Sequence, residues 1–472
     1  MERGCDIESA KDETSRRPFH GHGFKIQEHD YDKESSLRSV QLTEKERKIW
    51  MAMLFIGTSL AYSCRTVMSL VAMEMANEFK WDWAQVGFLL GSFFLGYPIL
   101  QIPGLGRGLR DRVGVDNFIA VCGLCWSTLT FITPIVPYAF ESNEIALIAM
   151  ICIRFLQGVA QGPHYPFMSR LVSATAPRKG KGFAISALSA AMYCGILANG
   201  LLGSILLGFF KWRSPFYLFG VLGIIWSIVM FLFWYLRRKY AAKMKNQSNE
   251  GMEPLIQNLA SCQELKTAKP FLFRNVVTKA SFWAMLLSHQ CVEFVFIILL
   301  SWLPTYFFDT YPRERDLVFD SIRWVVASFA AVLSGFLGDW LLRRRLPHTI
   351  TRKVLALITF LGLSIPCFNV DETDNFRLAM KYMAIVVASH AFSNSCISVN
   401  AFDIAPDHGG LIHGTSHSLA SLPGFLGTFI VGHILHTRNS GEWNVVFQMS
   451  GTVGLVGLAI FTFFGSAEPV IS

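Results

Sequence analysis

The sequence predicts an all-α membrane protein of twelve transmembrane helices, arranged as two pseudo-symmetric six-helix bundles. Three observations predict it. Apolar runs of about eighteen residues or more recur along the 472-residue chain, each long enough to cross a hydrocarbon core about 30 Å thick. Only 16% of residues are charged while 52% are hydrophobic, and mean hydropathy is +0.38; a soluble chain is roughly 25% charged. Basic and acidic loops alternate between the runs. Together these exclude a soluble enzyme, a secreted disulfide scaffold and a disordered protein.

The runs read as helices rather than barrel strands. Phe216 to Leu236 and Val445 to Phe464 are unbroken, without the alternation of polar and apolar residues that a barrel strand needs. No water in the bilayer satisfies a lone backbone amide, so such runs close their hydrogen bonds internally. Spans are expected at 48–73, 84–106, 117–138, 143–170, 181–209, 214–236, 280–304, 320–342, 351–370, 376–401, 410–435 and 443–466. Residues 1–45 are polar and mixed in charge and read as a disordered cytosolic tail. They do not read as a signal peptide, because the first apolar run starts near Ile49 and no small-residue cleavage site follows it. The polar stretch 237–279 divides an N-terminal bundle, 46–236, from a C-terminal bundle, 280–466, and 467–472 is a short tail. Six plus six is the arithmetic of a duplicated transporter.

Orientation follows from the basic residues. Lys45, Arg47 and Lys48 precede the first span; Arg110 and Arg112, then Arg178 and Lys179, then Arg237 and Arg238, then Arg343 to Arg345 follow the even spans. Glu74, Glu78 and Asp82, then Glu141 and Glu144, then Asp371 and Glu372 occupy the intervening loops. The basic loops and both termini are therefore expected in the cytosol. Lys211, Arg213 and the acidic turn from Asp403 to Asp407 break the pattern without reversing it. The sequon Asn246-Gln247-Ser248 falls on the cytosolic side and is expected to carry no glycan. Cys122-x-x-Cys125 has redox or metal spacing but lies within an apolar span with no second ligand pair, so both read as buried thiols. His164, His289, His390 and His433 read as helix contacts, Glu293 as either a cation's partner or a cavity residue, and no metal site is expected, including at His408, His413 and His417.

The informative residues are charges inside spans. Arg65 stands in the first span and Arg154 near the middle of the fourth, each more than two turns from a helix end. A charge at mid-bilayer costs roughly 2.5–3.5 kcal/mol even on insertion scales, and no acidic residue lies in the middle of the first six spans to neutralise either one. Two uncompensated guanidinium groups predict an anion as their partner. No hydrolase, kinase or redox constellation and no phosphate loop is visible, so an anion bound here is cargo and the chain does not read as an enzyme.

Leu109, Asp111, Arg112 and Gly114 fit the loop signature G-x-L-x-D-R-x-G, with Arg107 where its first Gly stands, and Asp339 sits in the matching position of the second half. On this signature the chain resembles the major facilitator superfamily, which implies a charged cytosolic latch at Asp111, Arg112 and Asp339. Further motifs are Gly91-Ser-Phe-Phe-Leu-Gly-Tyr97, Arg154 to Pro166, Phe216 to Trp226, Ser301 to Phe307 and Ile397 to Pro406. Five motifs in order on the right spans resemble the organic anion transporters of phosphate, sialic acid, glutamate and nucleotides. That resemblance implies a substrate site at Arg65, Arg154, Tyr97, Gln161 and Asn400, and alternating access by rocking of the two halves. Glutamate and sialic acid carriers place Glu where this chain has Gln161, and glutamate carriers place His where it has Leu90. A neutral amide exchanges no proton near neutral pH, so the resemblance is strongest to the vesicular nucleotide branch, driven by membrane potential with chloride as a modulator. The expectations are a monomer in an intracellular vesicle or lysosome-related membrane, or else the plasma membrane, with a small organic anion as substrate, no cofactor and no nucleic-acid partner. The alternatives are a proton- or sodium-coupled carrier of smaller anions and a non-transporting receptor or scaffold.

Overall fold

A computed structural model describes residues 44–101, 115–164, 181–248, 276–312, 317–370, 373, 375–406, 409–437 and 443–470. The tail up to Thr43, most of the linker, and Asp111 and Arg112 of the expected latch lie outside the described residues. Every regular element described is helical. In chain order these are α1 (Glu44–Phe79), α2 (Trp83–Gly96), α3 (Val115–Ile132), α4 (Asn143–Gln161), α5 (Lys181–Ala198) and α6 (Ser214–Ser248), then α7 (Ala280–Thr310), α8 (Leu317–Arg343), α9 (His348–Asn369), α10 (Phe376–Ser393), α11 (Gly409–Thr437) and α12 (Trp443–Phe464). Ten of them are long and apolar enough to span a membrane, and the helices at 83–96 and 117–132 are shorter apolar ones. α6 runs past the expected span end at 236 into the polar segment. α5 continues through a π turn at Asn199–Gly203 into Ser204–Phe209, and α10 through one at Asn394–Ser398 into Val399–Ile404.

Local sequence sets several of these starts. The Asp82 carboxylate accepts from Gln85 N at 2.8 Å, and Gln85 Oε1 accepts from Asp82 N at 3.0 Å. This reciprocal box satisfies two of the orphan amides at the start of α2. Asn375 caps α10 in the same way, its Oδ1 accepting from Arg377 N at 2.9 Å and Leu378 N at 3.3 Å.

Apolar helices gain little from each other by hydrophobicity alone inside a lipid core, so close backbone approach and polar contacts do the holding. Arg154-x-x-x-Gly158-x-x-x-Gly162 places two glycines on one face of α4 and its end. A Cβ on Gly158 would lie 2.0 Å from Phe93 O, one on Gly162 2.1 Å from Tyr97 O, and one on Gly96 2.0 Å from Phe155 O. The backbones of α2 and α4 therefore touch directly, which sets Arg154 beside Phe93. α1 is clasped from the other side. Ser59 Oγ donates to Ala191 O at 2.9 Å, Ser63 Oγ to Gly195 O at 2.7 Å, and Trp226 Nε1 to Met53 O at 2.9 Å.

The C-terminal segment also docks. Ala467 N donates to Thr349 Oγ1 at 3.0 Å and Val470 N to Ile404 O at 2.7 Å, which ties it to the start of α9 and the end of α10.

The glycine seam gives a test with an internal control. Gly158→Ala forces α2 and α4 apart and is expected to lower the yield of folded, monodisperse protein and its melting temperature, by the roughly 1–3 kcal/mol typical of overpacking or more. Gly338→Ala, whose new Cβ would meet its nearest neighbour, Leu355, at an ordinary 3.5 Å, is expected to change neither. Equal behaviour of the two variants in a thermal melt would contradict the seam.

Candidate functional site: an arginine pair in an aromatic box

Arg65 sits in the lower-exposure interior of α1, 8% exposed, and its guanidinium carbon lies 4.4 Å from the ring centre of Tyr62, 4.7 Å from that of Phe93 and 4.6 Å from that of Tyr97. Its Nε donates to Gln161 Oε1 at 3.0 Å, while Gln161 Nε2 donates to Ala61 O at 2.7 Å. The amide of Gln161 is thus oriented by the α1 backbone so that its oxygen faces the cation. Spacing explains the walls: Tyr62 precedes Arg65 by three residues on α1, and Phe93 and Tyr97 lie four apart on one face of α2 and its cap.

Arg154 is 2% exposed. Its guanidinium lies 5.1 Å from the Phe93 ring centre, on the ring that also borders Arg65. One terminal nitrogen donates to Gln157 Oε1 at 2.8 Å and the other to Arg65 O at 3.4 Å, and Gln157 Nε2 donates in turn to Thr130 Oγ1 at 2.6 Å. Among the described residues its Nε has no hydrogen-bond partner. Among the described residues neither arginine has a carboxylate within salt-bridge distance. Each ring face contributes about 0.5–2 kcal/mol to a desolvated cation, enough for three faces to offset an insertion cost of roughly 2.5–3.5 kcal/mol. The rings hold Arg65 in place and leave its charge uncancelled.

Four of the five residues expected in the substrate site, Arg65, Arg154, Tyr97 and Gln161, are therefore brought together. Asn400 shows no contact with this group among the described residues: it is fully buried, its Nδ2 donates to Ser466 O at 2.9 Å beyond the last helix, and its Oδ1 is without a partner among the described residues. The C-terminal half carries His417 on α11. His417 belongs to a group that sequence reasoning left dispersed. Glu293 on α7 lies 3.7 Å from His289 Nε2 and 3.5 Å from His390 Nε2. His390 stacks on Phe296 with centroids 3.7 Å apart, and its Nδ1 is 3.0 Å from Tyr193 OH of α5, across the two halves. The i, i+4 spacing of His289 with Glu293 and of His413 with His417 was the available signal. Gln157, three residues past Arg154 and on its face, was missed in the same way.

The remaining candidates stand apart from this cluster. His164 lies 3.4 Å from Thr58 Oγ1 between Trp126 and Trp226, a helix contact. Asp339 is exposed on α8. Cys122 and Cys125 are free thiols, one buried and one exposed.

The chain is similar to known transporters over most of its length. Residues 53–428 match the family model of the Major Facilitator Superfamily. The voltage-gated purine nucleotide uniporter SLC17A9 of Rattus norvegicus is 32% identical over 426 residues, covering 90% of this chain and 91% of that protein. The chloroplastic sodium-dependent phosphate transport protein 1 of Arabidopsis thaliana is 28% identical over 435 residues, 91% of this chain and 81% of that one. Human sialin is 26% identical over 400 residues, 84% of this chain and 78% of that one. Among solved structures, the inward open xylose transporter XylE from E. coli superposes with a TM-score of 0.65 at 16% identity, covering 89% of this chain and 96% of that one. A bacterial homolog of the human lysosomal transporter Spinster, inward-facing and unoccupied, gives 0.63 at 18% identity over 90% and 97%. A buried cationic pair on a twelve-helix scaffold, matched over nine-tenths of its length by anion carriers, leaves one assignment: the chain is a multi-pass transporter of the major facilitator superfamily, not an enzyme, and belongs to its anion transporter family, near the purine nucleotide uniporters.

Proposed function

We propose that the protein carries organic anions, nucleotides such as ATP foremost, into secretory vesicles by alternating access, driven by membrane potential. One observation carries the anion reading: two adjacent buried arginines whose described partners are all neutral. A guanidinium keeps its charge at any relevant pH, so only a bound anion completes the site electrostatically. The relatives that carry nucleotide in their names support the cargo, and Gln161 supports the driving force, since it brings no exchangeable proton to the arginine. A multiply charged anion entering a compartment that is positive inside gains about 2.3 kcal/mol per charge per 100 mV. In this reading Arg65 grips the anion, Arg154 shares it, and Tyr97 borders it. The termini and the 237–279 segment are cytosolic, Asp111 and Arg112 latch that face, chloride acts as a modulator, and the carrier works as a monomer in a vesicle or lysosome-related membrane.

The experiment is uptake into proteoliposomes at an imposed potential, scanning ATP, glutamate, sialate and phosphate. ATP is expected to be taken up best, and a preference for sialate or phosphate would overturn the cargo. Arg65→Ala is expected to cut uptake to under a tenth without loss of inserted protein. Arg65→Lys keeps the charge but loses the planar fork and is expected to impair uptake strongly. Normal uptake by Arg65→Ala would move the anion site elsewhere.

Gln161→Glu places a carboxylate where an amide oxygen now accepts from Arg65 at 3.0 Å. That internal anion competes with the cargo, so the apparent KM for ATP is expected to rise tenfold or more, about 1.4 kcal/mol or above, with no loss of folded protein. An unchanged KM would mean that Arg65 does not meet the substrate.

With potential clamped, collapsing the pH gradient alone by an ionophore is expected to leave the initial uptake rate of the unmodified protein within about a third of its value, because the helix-four position is an amide. Arrest of uptake under those conditions would establish proton coupling instead.

A further inference from the structure

The group around Glu293 has no part in the anion site as described. His289 and Glu293 sit at i, i+4 on α7, and His417 faces them from α11; one ligand atom from each lies within 4.8 Å of the others. The Glu293 carboxylate meets two imidazole nitrogens at 3.5 and 3.7 Å, longer than the 2.7–3.2 Å of an N–H···O bond. The 3.7 Å between His289 Nε2 and the Glu293 carboxylate is close to the roughly 3.3 Å between neighbouring ligand atoms around a tetrahedral ion with bonds of about 2.0–2.1 Å, while the 3.5 Å contact is to His390, which flanks the group. His289 is already set for such a role. Its Nδ1 lies 2.7 Å from Ser416 Oγ, which turns Nε2 towards Glu293, and an oriented outer nitrogen is what a metal-binding imidazole requires. Glu293 is 13% exposed, so the group is accessible from solvent. His413 lies one turn before His417, its ring centre 5.2 Å from that of His417 and 6.2 Å from that of His289.

We propose that His289, Glu293 and His417 form a binding site for a transition-metal ion of the zinc class, with His413 adjacent as a fourth donor and Ser416 fixing the His289 ring. Two imidazoles and one carboxylate suit zinc better than magnesium or calcium, which take oxygen ligands. The bound ion joins α7 to α11.

The test is equilibrium binding of a probe ion to the purified full-length protein, which is read independently of transport and of the cargo assignment. Titration with Co2+ is expected to give one equivalent bound with a visible absorption band, removed by one equivalent of Zn2+. Glu293→Gln and His417→Gln are each expected to weaken Zn2+ binding at least tenfold. Ser416→Ala, which acts only through the His289 ring, is expected to weaken it tenfold to a hundredfold. Absence of the band in the folded wild-type protein overturns the proposal. So does Zn2+ affinity unchanged in Ser416→Ala and in whichever of the other two variants folds. Binding that is lost only when His20, His22 and His29 are replaced by alanine places the ion on the amino-terminal segment and overturns it as well.

Discussion

A guanidinium inside a bilayer has no neutral form to retreat to, and that constraint organises the N-terminal half. A buried carboxylate or imidazole sheds its charge when desolvation becomes too costly; Arg65 does not. Everything within reach of it is therefore arranged to tolerate a permanent cation without cancelling it. Three aromatic faces surround the carbon, and a single amide oxygen accepts from Nε. Replacing any of these with a carboxylate would hold the arginine more firmly and abolish its use for an incoming anion. The contact of α2 with α4 belongs to the same constraint. Only because Gly158 brings α4 onto the backbone of Phe93 does one ring border both arginines, which keeps two like charges apart while serving each.

The two exceptions to the loop charge pattern have local causes in the fold. Arg213 lies among acidic loops because it belongs to a cluster with Glu78 and Tyr138. Its guanidinium reaches Glu78 at 3.5 Å and lies 4.1 Å from the Tyr138 ring centre, and Trp212 Nε1 donates to the same carboxylate at 2.6 Å. Burial, and then the hydrogen bond to Glu78, push the Tyr138 phenol above its ordinary value, so it remains a donor. On the opposite side, Asp403 is held by Arg352 through bonds of 2.7 and 3.3 Å, and Arg352 also donates to Ser395 O at 2.9 Å, within the π turn that interrupts α10. Both departures from the charge pattern are therefore charges paired within the fold.

Most of the scaffold was legible from the sequence because bilayer thickness and backbone hydrogen bonding leave few alternatives. Apolar runs locate the helices, although α2 and α3 end as helix well before the apolar runs do and α6 extends beyond its own. The arginine pair was legible for a related reason: a cation at mid-span stands out against hydrocarbon. Phe93 and Gln157 were not, since one more phenylalanine among 40 or a glutamine beside an arginine carries no mark of its role until the helices are placed. Asn400 illustrates the limit in the other direction. Its motif is present, but a motif fixes neighbours along the chain and not the direction of a side chain; here the amide nitrogen holds Ser466 O while the oxygen is left without a partner among the described residues.

The halves differ in the kind of charge they bring to the centre. The N-terminal half offers cations that cannot titrate, and the C-terminal half offers imidazoles and one carboxylate, groups whose charge depends on what binds them. The halves pack closely along α2 and α11, where Phe88 meets Phe425 and Phe429, and the polar contacts that accompany this packing are mostly neutral. Gly87 and Gly432 approach closely, Ser418 Oγ donates to Gln101 Oε1 at 2.8 Å, and Tyr193 meets His390 at 3.0 Å. A neutral hydrogen bond contributes a net 0.5–1.5 kcal/mol or so, so a few of them define an interface without fixing it. A carrier that exchanges between two states needs them within a few kcal/mol of each other. If those contacts were ion pairs across a low-dielectric gap, separating the halves would expose two desolvated charges at once, and breaking one such pair typically costs about 3–5 kcal/mol. Among the described residues the close pairs, Arg352 with Asp403 and Arg213 with Glu78, each lie within one half, and the pair that crosses the seam, His436 with Asp82 at 3.9 Å, is a half-exposed one at its rim, where separating the charges costs little.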